Sequence, residues 1–379
     1  MGGLILSINK ERMVKEFLSL VSIDSEPRKE RQVADALLKI MQGMGLEALE
    51  DGIAKHIGGD TGNIVAKIAG IIPGAPTVAF AAHLDRVSPG LGIKPQIRDE
   101  VIYSDGTTIL AADDLAGVVQ MLEAVRVLKE QNIAHGDIEL LFTVSEESGM
   151  LGARNFDRGL LKANVCYFLD GLGDVGAVIN QAPTAAKLSV KITGRPAHAG
   201  LSPEKGISAI QVASDAIYNM NLGRIDEETT CNIGTFKGGL ATNIVPELVE
   251  IMAEVRSRNE AKLHAQIKHM VDGFEAAAVK WGAKTDIVVT HSYPALNVPA
   301  DDPAVLWAMQ AVRSIGVTPR LEATGGGSDG NILAGKGLTS IVLSVGMEKV
   351  HSKDEYIKIE QLTKGAELLL AIIQEAATS

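Results

Sequence analysis

Five stretches of the chain place ionisable side chains directly beside strand-like apolar runs: Ala81-Ala82-His83-Leu84-Asp85, Ala112-Asp113-Asp114, Val144-Ser145-Glu146-Glu147, Phe168-Leu169-Asp170-Gly171 and Lys349-Val350-His351-Ser352. In an extended chain residues two apart share a face, so His83 and Asp85 point together while Leu84 turns to the core. Each stretch alone has an ordinary reading. Asp114 reads as the N-cap of the helix that follows, Ser145 as the start of a helix with two glutamates in its first turn, Asp170-Gly171 as a turn, and His351 as a loop histidine. Together they supply two imidazoles and several carboxylates at strand ends. Open α/β sheets place their sites there. Such a set suits two divalent ions about 3.5–4 Å apart with one carboxylate bridging. Two nitrogen donors favour zinc, cobalt or manganese over magnesium or calcium. Thiolates are out of reach, because the two cysteines, Cys166 and Cys231, lie far apart in apolar runs. The other histidines, His56, His135, His264, His269 and His291, read as structural.

The elements that must carry these groups alternate. Helical spacing predicts helices over Lys10–Val21 and Glu30–Met44, and strands are expected over Asn63–Ile68 and Thr77–Ala82. Asp114–Glu130 reads as an amphipathic helix, Ile138–Val144 and Val165–Leu169 as buried strands. After an interruption the style resumes with helix Pro303–Ser314, strand Ser340–Val345 and helix Ile359–Ala376. This is an α/β main domain with a mostly parallel, mixed sheet flanked by helices. The interruption reads strand Lys187–Thr193, helix Ile207–Met220, strands Thr229–Phe236 and Leu248–Val255, helix Glu260–Trp281 and strand Thr285–Thr290. That order, β-α-β-β-α-β, is the ferredoxin-like pattern. The expected organisation is therefore a discontinuous main domain, 1–184 with 296–379, and an inserted domain, 185–295.

Further polar groups fall in or next to the insertion. His198 sits in Gly194-Arg195-Pro196-Ala197-His198-Ala199-Gly200, a turn-rich stretch after a strand, where it could reach a ligand across a cleft. Asn243 and Arg256 lie in strand-like stretches, and an arginine fork matches the two oxygens of a substrate carboxylate. Thr324-Gly325-Gly326-Gly327-Ser328-Asp329-Gly330 lacks the Gly-Lys-Ser/Thr ending of a phosphate loop, so a backbone-rich carboxylate or peptide site is the better reading.

Composition narrows the class. A net charge of −11 and the absence of a basic cluster interleaved with aromatics argue against a nucleic-acid surface. No apolar run is long enough to span a membrane, and the N-terminal stretch does not read as a signal peptide. With so few cysteines, a reducing cytoplasm is the expected location.

Eight motifs in order carry a resemblance: HLD at His83, ADD at Asp113, SEESG at Glu146, LDG at Asp170, GRPAHAG at His198, TNIVPE at Asn243, GGGSDG at Gly327 and VHS at His351. Over almost its whole length the chain resembles the dizinc exopeptidase superfamily of tripeptidase T, glutamate carboxypeptidase and the aminoacylases, with the peptidase T-like branch nearest. The resemblance implies hydrolysis of short peptides, most of all a tripeptide aminopeptidase. A carboxypeptidase or N-acyl-amino-acid deacylase is the alternative, and a non-catalytic metal-binding homologue a more distant one. It implies two zinc ions, with His83 and Asp170 on one, Glu147 and His351 on the other, and Asp113 bridging. It makes Glu146 the general base and Asp85 the group that orients His83, and it implies a cis Asp113–Asp114 bond. His198 would reach the partner subunit's active site in a homodimer built through the inserted domain, and Asn243 and Arg256 would clamp substrate with Gly327 nearby. The chain departs from the pattern at Arg86 (usually threonine), Leu115 (usually lysine) and Ser145 (commonly aspartate). Arg86 is expected near the site entrance, where it would alter substrate preference.

Overall fold

The computed structural model describes residues 8–378. Residues 1–7, on which the reading of the N-terminal stretch rests in part, lie outside the described residues. The chain divides into two compact units. The first comprises the described residues of Met1–Gln181, Val298–Ala323 and Ser328–Ser379, and the second Ala182–Asn297 with Thr324–Gly327.

At the centre of the first unit four strands run parallel: Ile138–Thr143, Val78–His83, Val165–Gly171 and Thr339–Ser344, in that spatial order. Strand Ile64–Ile68 pairs antiparallel with Ile138–Thr143 on one side, and Ala177–Ala182 pairs antiparallel with Thr339–Ser344 on the other. The result is an α/β fold with a mixed, mostly parallel sheet. Val78–His83 and Ile138–Thr143 are buried at every position. Full burial on both faces explains why the sequence there is a continuous apolar run rather than an alternation. Pairing of His83 with Thr143 and of Ala81 with Phe168 brings the three strand ends to one edge.

Helix Ala112–Glu130 packs on Val78–His83 and Val165–Gly171 and is covered by helices Lys10–Val21 and Ile359–Ala377. The expectation of an amphipathic helix is corrected here: the helix is buried nearly all round. Its two central polar residues are buried because they have partners. Gln120 Nε2 donates to the Val345 carbonyl at 2.9 Å, and the Glu123 carboxylate accepts from Arg12 Nε and Asn9 N, both at 2.8 Å. Most buried polar groups are satisfied in this way, though Gln120 Oε1 has no partner among the described residues. Among the described residues no helix is long and apolar enough to cross a membrane.

The second unit holds an antiparallel sheet in the order Gly223–Arg224, Thr229–Gly238, Leu248–Ser257, Thr184–Thr193, Lys284–Tyr293. Burial alternates along Thr184–Thr193 and Leu248–Ser257. One face therefore supplies Leu188, Val190, Val249, Ile251 and Val255 to a core shared with helices Ala209–Tyr218 and Glu260–Trp281, which contribute Val212, Leu263, Met270 and Phe274.

Candidate active site

The C-terminal edge of the parallel strands gathers the titratable groups of the first unit. His83 ends its strand and is 3% exposed. Its Nδ1 donates to the Asp85 carbonyl at 3.0 Å, which leaves Nε2 on the side of Asp113 Oδ1, also at 3.0 Å. Asp113 stands between two imidazoles: its Oδ2 lies 3.2 Å from His351 Nε2, which in turn lies 2.9 Å from Glu147 Oε1. Asp170, half-buried at the end of Val165–Gly171, adds a carboxyl that burial and the charge of Asp113 push well above its usual range. His83, Asp113, Glu147 and His351 thus form one continuous chain of contacts.

The backbone here is unusual. The Asp113–Asp114 bond is cis, as the resemblance implies, and Ala111, Ser145 and His351 are non-glycine residues at positive φ. Asp114 stands at the kink before the regular helix, but the capping bond read for it is corrected: its Oδ1 has no hydrogen-bond partner among the described residues, and its Oδ2 accepts the His83 N–H at 3.2 Å. The helix-start reading of Ser145 fails too. Residues 146–149 form a turn, and the short helix that follows, Leu151–Asn155, has no side-chain cap.

Asp85 lies against His83, more closely through its carbonyl than through its carboxylate. Its carboxylate lies 3.6 Å from His83 Nδ1, while its carbonyl makes the 3.0 Å contact. The carboxylate oxygens instead accept the backbone N–H groups of Glu146, at 2.8 Å, and Glu147, at 3.0 Å. Burial drives the Asp85 carboxyl up to about 6, against the opposing pull of His83.

Three further groups were not singled out as site residues in the sequence, although Asp329 lies within GGGSDG. Glu355, 1% exposed, accepts the N–H groups of Leu110 at 2.7 Å, Ala111 at 3.0 Å and Asp113 at 3.1 Å, fixing the turn that presents the paired aspartates. Asp329, 4% exposed, acts on Glu146 more strongly than any other charge; burial and then Asp329 push the Glu146 carboxyl well above its usual range. Glu30, 0% exposed, accepts from Ser145 N at 2.9 Å and Ser145 Oγ at 2.8 Å. Sequence order could not reveal these links, because each joins a carboxylate to backbone amides or charges more than 100 residues away.

The residues present fit a divalent metal centre. His83, Asp113 and Glu147 offer ligand atoms within 4.8 Å of one another. Hydrogen bonds from His351 and His83 hold the Asp113 carboxyl far below its ordinary value despite its burial, and contacts to Asp113 and Glu147 raise His351 to about 10. His83 is the leading positive charge acting on Asp85, Asp114, Glu146, Asp170 and Asp329, and both imidazoles act on Asp113. So many buried and half-buried carboxyls call for cationic charge beyond two imidazoles. A mixed nitrogen and oxygen donor set suits zinc-class ions.

The structure overturns the expectation for Arg86. It is 1% exposed, and its guanidinium donates to Ser25 Oγ at 2.9 Å and to the carbonyls of Val21 at 2.9 Å, Ile23 at 2.6 Å and Gly90 at 3.4 Å. Arg86 is an internal tie between the end of helix Lys10–Val21 and the 86–90 loop, not an entrance residue. Leu115 is likewise buried.

His198, Asn243, Arg256 and Gly327 lie in the second unit. The His198 loop pairs with the Asn243 segment through Ala199 N to Asn243 O and Val245 N to Ala197 O, both 2.9 Å. His198 Nδ1 accepts the N–H groups of Gly200 and Leu201 at 3.1 Å, so the neutral ring carries its proton on Nε2, free to donate. Arg256 pairs with Glu254 at 2.6 Å and donates to the Gly325 carbonyl at 3.2 Å. A Cβ at Gly327 would stand 2.4 Å from the Tyr293 ring, so this glycine lets the loop lie against Tyr293.

A family model for peptidase family M20/M25/M40 matches residues 79–375. An aminopeptidase PepT from Bacillus cereus is 47% identical, with a TM-score of 0.93 over 98% of this chain and 99% of the other. A tripeptidase from Staphylococcus aureus is 41% identical, with a TM-score of 0.96 over 98% and 100%. Peptidase T from Escherichia fergusonii is 28% identical across 97% of this chain and 99% of its own. The matched span runs from the strand that ends in His83 to the last helix, so it takes in every residue of the chain of contacts described above, and the chain belongs to peptidase family M20/M25/M40.

Proposed function

We propose that this protein is a metal-dependent exopeptidase that removes the N-terminal residue of short peptides, tripeptides above all. The observation that carries the reading is the Ser145–Glu147 turn. There Asp85 holds the two successive amides, so that Glu147 meets His351 while Glu146 remains a separate, half-buried carboxyl beside the His83–Asp113–His351 chain. The relatives named peptidase T, PepT and tripeptidase support the substrate class.

In this reading His83 and Asp170 would hold one ion and Glu147 and His351 the other, with Asp113 serving both and zinc as the metal. Bound ions of this kind polarise a scissile carbonyl and lower the pKa of a water. Glu146 takes the proton of the attacking water and passes it to the leaving amine. Its raised proton affinity suits that shuttle. Asp85 keeps the turn in register. His198, with its proton on Nε2, donates to the carbonyl oxygen as it gains charge. Asn243, Arg256 and the Gly327 loop bind the peptide backbone and its carboxylate.

The proposed organisation is a catalytic domain of residues 1–184 and 296–379 with an inserted ferredoxin-like lid, 185–295, through which two copies pair in the cytoplasm. The deciding experiment is Glu146→Gln, assayed on tripeptides, dipeptides and N-acyl amino acids with metal content measured alongside. The expected result is a loss of about 10²–10⁴ in kcat on tripeptides with two ions retained per subunit. Near-normal turnover by the metal-loaded variant refutes the role of Glu146, and preference for acylated amino acids refutes the aminopeptidase reading.

A further inference from the structure

Three successive backbone amides, those of Ser145, Glu146 and Glu147, are each held by a buried carboxylate. Asp85 accounts for the second and third. The first belongs to Glu30, which lies 115 residues away in the chain: its Oε1 accepts Ser145 N at 2.9 Å and Ser145 Oγ at 2.8 Å. The same Oε1 accepts Arg28 N at 2.9 Å, and Arg28 N also meets Ser145 Oγ at 2.9 Å. Both Glu30 and Ser145 are 0% exposed.

Two features separate this from ordinary helix capping. Glu30 occupies the N-cap position of helix Arg31–Gly43, yet its side chain makes no cap hydrogen bond. The carboxylate is turned away from its own helix to a turn on another element. Second, the residues it ties are both strained: Ser145 has φ +56° and Arg28 has φ +70°. For residues with a Cβ, such backbone persists only where the surroundings hold it. Ser145 has no carboxylate of its own to hold this turn. Glu30 supplies one from outside the turn.

We propose that Glu30 is a positioning residue for the catalytic base: through Ser145 it fixes the left-handed turn that aims Glu146, and so sets turnover rather than substrate binding. The inference rests on the reading of Glu146 as the base. Displacing a catalytic group by about 1 Å costs on the order of 10²-fold, so a partial release of one end of the turn should cost about tenfold.

The test is steady-state kinetics on a tripeptide with zinc-loaded Glu30→Ala, Glu30→Gln, Ser145→Ala and the Glu30→Ala/Ser145→Ala double variant. Glu30→Ala should lower kcat about tenfold, with KM within about twofold and two ions retained. Glu30→Gln, whose amide oxygen accepts the same N–H groups, should recover most of that loss. Ser145→Ala should lower kcat about threefold, and the double variant should be no worse than Glu30→Ala, because the two residues act as one unit. Normal kcat in Glu30→Ala, loss of metal together with activity, a KM effect without a kcat effect, or additive losses in the double variant would each overturn the proposal. Should Glu30→Ala fail to fold, Ser145→Ala and Glu30→Gln decide it: a normal kcat in the first or an unrescued kcat in the second rejects the role. If Glu30→Ala is normal while Glu146→Gln is inactive, the inference alone fails. If Glu146→Gln is active, the reading beneath it fails.

Discussion

Glu30 carries a cost that can be measured. Its carboxyl is raised from an ordinary 4.5 to about 7, first by burial and then by the neighbouring charge of Asp85, against the opposing hydrogen bonds from Ser145 and Arg28. A folded-state value above the unfolded one means that the folded protein holds this proton more tightly. The resulting stabilisation is fully present below about pH 4.5 and is lost as pH rises through about 7. The difference of about 2.5 units corresponds to about 3 kcal/mol as an upper figure, of which about 2.5 kcal/mol falls between pH 5 and pH 8. Glu30→Gln keeps the acceptor and removes the ionisation. Relative to the wild type, the variant should therefore gain about 2 kcal/mol or more of stability at pH 8 over what it gains at pH 5. The assay is urea unfolding of both proteins at the two pH values with the same zinc content. Taking the difference between the proteins at each pH cancels the titration of groups common to both. A pH-dependent gain below about 0.5 kcal/mol, or a gain larger at pH 5, would refute the reasoning. A buried charge that destabilises the fold at working pH, beside a turn the chemistry needs, is the trade expected at a functional site.

The remaining expectations concern other parts of the molecule. Arg86→Thr strands the carbonyls of Val21, Ile23 and Gly90 in a buried space, so it should destabilise the protein by about 3 kcal/mol or more; the ratio of kcat/KM between tripeptides and dipeptides should stay within about twofold, where an entrance residue would shift it. Gly327→Ala should lower kcat/KM about tenfold by driving a Cβ into the Tyr293 ring, and activity should partly return in the Tyr293→Ala background. If His198 acts across a dimer, mixing inactive His198→Ala with inactive Glu146→Gln under subunit exchange should yield up to about a quarter of wild-type activity, since one site of each hybrid dimer then has both groups intact. Absence of recovery in proven hybrids would refute action in trans.

What could be read from the sequence and what could not divide along a physical line. His83, Asp113, Glu146, Asp170 and their strands were legible because the signal is local: a fully buried parallel strand must be an apolar run, and an ionisable residue at its end breaks that run visibly. Helix Lys10–Val21 and helix Glu260–Trp281 likewise follow from their own spacing, and the structure has both at the expected bounds. Helix Ala112–Glu130 was found but its surroundings were not. Gln120 and Glu123 look solvent-facing until one knows that Val345, Arg12 and Asn9 come to meet them. Arg86 misled for the same reason, since a charged residue beside HLD suggests an entrance, and only the fold brings three carbonyls around it. Glu30 and Glu355 were invisible altogether. Glu355 holds only backbone N–H groups, which leave no residue type, spacing or charge pattern to find, and Glu30 adds to such groups a single serine hydroxyl 115 residues away. The groups that present the chemistry are therefore written as motifs, whereas those that hold it in place appear only when distant segments meet. The second kind is where substitution would most readily change rate without changing any residue of the motif, and Glu30 is the sharpest case because the turn it holds from 115 residues away carries Glu146.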